Sequence, residues 1–300
     1  MKYILETKNL TKQYGKVKAV NDVSLHVKQG EIYGFIGRNG AGKTTLMRMV
    51  TGLAGITDGE VSIYGRTNKD FANIKNRIGC LIEAPGIFGN MSAKENLKAK
   101  CMCVGINKPG YVEDLLELVG LADTGNKKTK LFSLGMRQRL GIALALVGEP
   151  DILMLDEPIN GLDPQGIAEI RELILKLNHE RNITIFISSH ILEELAKIAT
   201  TYGIIHKGQL IKELTHEELM EQCGECIVLR CDEPEKAMAM LDSLGYTKYK
   251  ATNAETIEIY EQLDNVRELN KTLVMQDVGV YDIHTKREDL EDYFLNLTSN

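Results

Sequence analysis

The sequence predicts an α/β fold built on a phosphate-binding loop, with a helical subdomain set into it and a small α+β domain after it. Three observations carry that expectation. Residues 37–45 read Gly-Arg-Asn-Gly-Ala-Gly-Lys-Thr-Thr between an apolar run and a helical segment. Up to about residue 215, β-rich runs alternate with segments of helical spacing, the pattern of a parallel sheet covered on both faces. Beyond it the order becomes βαββαβ, the split arrangement of ferredoxin-like domains. The expected division is 1–217 for the first domain, with its helical subdomain at about 86–150, and 218–300 for the accessory domain.

The elements follow from local patterns. Ile4–Thr7 and Val23–Val27 read as half-buried strands, and Lys28-Gln29-Gly30 as a turn into the apolar run Ile32–Ile36. A helix starts at Lys43. Val61–Tyr64 and Ile78–Ile82 are further strands. From Ser92 to Gly148 the spacing is helical, opened by the capping box Ser92-Ala-Lys-Glu95. Ile152–Leu155 reads as a buried parallel strand, followed by a helix over about 164–178, the strand Ile183–Ile187 and a helix over about 191–198. In the second domain, Ile227–Cys231, Tyr246–Ala251, Thr256–Tyr260 and Val280–Ile283 are the strands. Glu235–Leu244 and Val266–Met275 are its helices, and Leu290–Leu297 closes it.

The loop at residue 37 carries the first chemistry. Gly37, four residues, then Gly42-Lys43-Thr44 is the spacing of a triphosphate cradle. Backbone N–H groups from Gly37 through Asn39, Gly40, Ala41 and Gly42 to Thr45 can wrap phosphates, and the following helix points its positive end at them. Lys43 is placed for the β- and γ-phosphates, and the Thr44 hydroxyl for Mg²⁺. A chance glycine-rich turn would lack the strand before and the helix after. A second apolar run, Leu153-Met154-Leu155, ends in Asp156 and Glu157. Asp156 is the candidate Mg²⁺ partner opposite Thr44, and Glu157 the candidate general base for an attacking water.

Composition narrows the setting. The 300 residues, 43% apolar and 26% charged, suit a globular chain of two domains. No stretch approaches the ~18 apolar residues of a membrane span, and the N-terminus meets a charge too early for a secretory signal. A cytosolic protein is expected. Its six cysteines are then reduced thiols, and Cys223-Gly-Glu-Cys226 has no second pair or nearby histidine to complete a zinc site. From Gly224 onward 8 Lys and Arg face 16 Asp and Glu, a balance of −8 within a total of −6. No basic stripe is visible, which argues against a nucleic-acid partner.

Further motifs resemble the ATP-binding cassette family. Phe132-Ser133-Leu134-Gly135-Met136-Arg137-Gln138-Arg139 is similar to its signature sequence, Asn160-Gly161-Leu162-Asp163 to its D-loop, and Ser188-Ser189-His190 to its switch histidine. Tyr14 stands where the family stacks an aromatic ring on adenine. These motifs run in family order across residues 3–215. The resemblance implies a head-to-tail dimer, with ATP held between one copy's phosphate loop and Ser133 and Gly135 of the other. It also gives His190 the switch role.

The chain departs from the family pattern at two places. Leu134 and Met136 replace a glycine and the glutamine of the signature, while Ser133 and Gly135 remain. Glu83 stands where the family has glutamine; as a hard oxygen donor it is a candidate Mg²⁺ ligand beside Thr44 and Asp156. Together with Tyr33–Gly40, Glu83–Gly86 and Leu290–Leu295, these features are similar to the bacitracin and lantibiotic branch of the exporters. That implies an ATPase peripheral on the inner face of the plasma membrane, working with an integral-membrane permease subunit and a second copy of itself or a similar cassette. The segment from Glu83 to about Val104 is the expected contact with that permease. The alternatives are an importer ATPase, or a soluble cassette acting on ribosomes or DNA; one phosphate loop and no sustained heptads speak against the latter.

Overall fold

Five strands of the main sheet run parallel and place their carboxyl ends together, which is where the candidate motifs lie. The computed structural model describes residues 3–67, 77–222, 225–287 and 290–298. Contacts divide the chain into two compact units, Met1–His216 and Glu217–Asn300. In the first, the six-stranded sheet has the order Gln209–Thr215, Thr201–His206, Ile32–Ile36, Thr184–Ser189, Ile152–Asp156, Ile78–Leu81. Only Gln209–Thr215 is antiparallel to its neighbour. Ile32–Ile36, Ile152–Asp156 and Thr184–Ser189 are buried at every residue, as strands covered on both faces must be.

A second, antiparallel sheet is organised around the long strand Tyr3–Tyr14. Helix Lys43–Val50 buries Leu46, Met47, Met49 and Val50 in one core shared by both sheets, with Leu5, Leu10, Val61, Phe35 and Phe186. One expected element changes here. Val23–Val27 is not a single strand: Val17–Val23 pairs with residues 10–14, and His26–Lys28 with residues 3–6. Thr7 makes the break. Its hydroxyl donates to Val23 O (2.9 Å) and accepts from Leu25 N (3.0 Å), bridging the bend, while its own N–H donates to Leu25 O (3.0 Å).

Helices Ala93–Cys103, Tyr111–Leu118 and Leu134–Leu146 form the helical subdomain. The capping box at Ser92 is present. Glu95 N donates to Ser92 Oγ (3.2 Å) and Ser92 N to Glu95 Oε2 (2.6 Å). That backbone amide, with Lys128 beside it, holds the Glu95 carboxyl down to about 2. Leu134–Leu146 packs on the strand Ile78–Leu81 through close backbone approach. A Cβ on Gly79 would lie 2.1 Å from Ala145 O, and one on Gly141 would lie 2.8 Å from Pro85 Cβ. Gly79→Ala is therefore expected to lower stability by about 1–3 kcal/mol, because the helix must shift outward. A urea midpoint equal to that of the unmodified protein would count against this packing.

The second unit has the expected βαββαβ order. Its four strands are antiparallel and lie in the order Tyr249–Asn253, Thr256–Ile259, Glu225–Cys231, Val280–Arg287. Helices Pro234–Ser243 and Val266–Met275 bury Ala237, Leu241, Leu269 and Leu273 against Ile227, Leu229, Ile257 and Ile259. Helix Leu290–Thr298 follows. Cys223 of the Cys-x-x-Cys spacing lies outside the described residues, and Cys226 is buried. Among the described residues, no helix is long and apolar enough to cross a membrane.

Candidate nucleotide-binding site

The order Ile32–Ile36, Thr184–Ser189, Ile152–Asp156 sets three strand ends side by side, and each feeds one motif. Ile32–Ile36 leads into the loop at Gly37, Ile152–Asp156 ends in the two acids, and Thr184–Ser189 is followed by His190. The register Asp156↔Ser188 fixes the neighbours. Ser188 Oγ donates to Asp156 Oδ1 (2.6 Å) and accepts from Glu157 N (3.0 Å). Thr44 Oγ1 donates to the other oxygen of Asp156, Oδ2 (2.7 Å).

Glu157 sits between two partners. Its Oε1 is 3.0 Å from Lys43 Nζ, and its Oε2 is 2.7 Å from His190 Nδ1. Its backbone is left-handed, φ 49°, a sparsely populated conformation for a non-glycine residue. The Lys43 amine is buried, 5% exposed, and also donates to Gly37 O (2.6 Å) and Arg38 O (3.3 Å). Lys43, Thr44, Asp156, Glu157 and His190 thus form one connected cluster.

The surroundings suit a phosphate chain. Helix Lys43–Val50 has no side-chain cap at its N-terminus and no acid in its first turn, so a ligand's oxygens can take those N–H groups. Gly42 is left-handed, φ 111°, and a Cβ there would lie 2.5 Å from Ala19 O; only glycine lets the loop close so tightly. The Thr44 hydroxyl and Asp156 carboxylate are hard oxygen donors. Two protein ligands suit Mg²⁺, which keeps several waters and otherwise binds phosphate.

Tyr14, Ser133, Gly135 and Glu83 lie outside this cluster and the loop that feeds it. Tyr14 ends its strand at the hairpin to Val17, with its ring half exposed and Lys12 Nζ 4.9 Å from the ring centre. Ser133 caps helix Leu134–Leu146, accepting from Met136 N (3.2 Å), and Gly135 lies half-buried in that helix's first turn. Glu83 does not reach Asp156 or Thr44 here: its carboxylate is paired with Arg48. Neither Ser188 nor Arg48 is a candidate from local sequence pattern alone. Ser188 was visible within Ser-Ser-His, but its bond to Asp156 depends on strand register; Arg48 carried no local signal at all.

The family described as ABC transporter matches residues 20–160. A bacitracin transport ATP-binding protein of Bacillus licheniformis is 43% identical over 299 residues, 99% of this chain and 98% of its own. A lantibiotic transport ATP-binding protein of Streptococcus pyogenes is 42% identical, covering 71% of this chain and 92% of its own. The dimeric structure of a bacterial ABC transporter cassette superposes with a TM-score of 0.64 at 26% identity, covering 71% of this chain and 98% of that one. This chain belongs to the ATP-binding proteins of the ABC transporters.

Proposed function

We propose that this ATPase powers outward transport of a peptide antibiotic, of the bacitracin or lantibiotic kind, through a separate membrane subunit. One observation carries the reading. The similarity to a bacitracin transport ATP-binding protein runs over 99% of this chain, and so takes in the second unit as well as the cassette.

In this reading Lys43 and the first-turn N–H groups of its helix bind the phosphates, and Tyr14 stacks on the base. Thr44, Asp156 and Glu83, once it leaves Arg48, would hold Mg²⁺, which would shield phosphate charge. Glu157 takes the proton of the attacking water, and His190 orients it through Oε2. Lys43 must first exchange Glu157 and the two loop carbonyls for phosphate oxygens. Ser133 and Gly135 point to a second copy, whose nucleotide they meet in a head-to-tail dimer. No nucleic acid takes part.

The membrane subunit docks on the inner face of the plasma membrane, at a cleft of ≈ 400 Å³ lined by Leu53, Ile82, Pro85, Phe88, Lys100 and Cys103. Phe88 is 61% exposed there. Purified from detergent-solubilised membranes, the protein should bring a polytopic membrane protein that crosslinks from Phe88. Co-expression of the two should raise tolerance to bacitracin-like or lantibiotic peptides. Tolerance unchanged across a panel of such peptides would end the antibiotic reading and leave the ATPase standing.

A further inference from the structure

Glu83 and Glu157 lie just beyond the ends of adjacent parallel strands, each two residues after the paired Leu81 and Leu155. Both have left-handed backbones, φ 62° and φ 49°. Each carboxylate is paired with a cation from the same helix: Lys43 from its first turn holds Glu157, and Arg48 from its last turn holds Glu83. The two pairs differ in burial. Lys43 and Glu157 are 5% and 20% exposed, Arg48 and Glu83 38% and 60%.

We propose that Arg48 is a positioning residue that competes with Mg²⁺ for the Glu83 carboxylate. This rests on Glu83 being a metal ligand in the nucleotide-bound protein. An amide at position 83 would need no such partner, because it brings no charge toward the triphosphate. A carboxylate does, and Arg48 neutralises it until the metal arrives. An exposed ion pair is weak, so a divalent cation can displace it. The exchange moves Glu83 from the phosphate-loop helix toward Asp156. The residues beside Glu83, Ile82 and Ala84 to Gly86, line the cleft, so the same exchange reaches the docking surface.

The test is a double-mutant cycle on nucleotide affinity, using the non-hydrolysable analogue AMP-PNP with Mg²⁺ and with EDTA. The quantity read is the ratio of the two affinities. Glu83→Ala should lower it, because a ligand is lost. Arg48→Gln should raise it by roughly three- to tenfold, because Glu83 is released to the metal. In the Glu83→Ala background, Arg48→Gln should change it by less than about twofold. An equal effect of Arg48→Gln in both backgrounds makes Arg48 a distant charge only and overturns the proposal. No effect of Glu83→Ala removes Glu83 from the metal, and the proposal with it, while AMP-PNP binding by the unmodified protein still supports the nucleotide site. Arg48→Met, which keeps the aliphatic stem, replaces Arg48→Gln if that variant fails to fold.

Discussion

Glu157→Gln should lower ATP turnover by roughly 10²- to 10⁴-fold or more while ATP still binds. The substitution keeps the shape of the side chain and its capacity to bond Lys43 and His190, which stand at 3.0 Å and 2.7 Å. What it removes is the ability to accept a proton from water. The backbone placement also survives, because the residue's N–H is held by Ser188 Oγ rather than by its own side chain. Hydrolysis should therefore collapse without loss of the fold or of nucleotide affinity, and ATP-bound dimer should accumulate in size-exclusion chromatography. A variant with near-normal turnover would remove Glu157 from the role of base.

Lys43→Ala should act on the other side of the cycle, lowering ATP affinity by about 10- to 100-fold. The amine is buried against Gly37 O, Arg38 O and Glu157. Its loss takes away the charge-assisted donor for the phosphates and leaves the Glu157 carboxylate facing the triphosphate with only His190 as partner. The second effect is repulsive, so Lys43→Ala should bind more weakly than Lys43→Ala combined with Glu157→Gln. Equilibrium titration with a fluorescent ATP analogue separates the two variants. Unchanged affinity in Lys43→Ala would count against the phosphate-loop assignment.

Much of this arrangement was legible because it is local. The fully buried runs Ile32–Ile36 and Ile152–Asp156 announce themselves as covered strands, and the residues that end them are adjacent in sequence to the motifs they present. The capping box at Ser92 and the βαββαβ order are local in the same sense. What was not legible depends on partners far along the chain. Thr7 splits Val23–Val27 from 16 residues away, which no period-2 pattern records. Ser188 reaches Asp156 across 32 residues through strand register. Glu83 meets Arg48, 35 residues before it, so its identity as a hard donor was readable while its partner was not.

The close seat of helix Leu134–Leu146 on Gly79 makes that helix a lever. Its fulcrum is the Ala145 carbonyl against Gly79, and Gly141 rests on Pro85 two residues after Glu83. From Ala145 back to Ser133 the arm is about 18 Å at 1.5 Å per residue. A tilt of about 10° at the fulcrum therefore sweeps Ser133 through about 3 Å, the length of a hydrogen bond. A shift of about 1 Å at Pro85, where Gly141 sits about 6 Å from the fulcrum, becomes about 3 Å at Ser133, which in the proposed head-to-tail dimer separates touching a partner's phosphate from missing it.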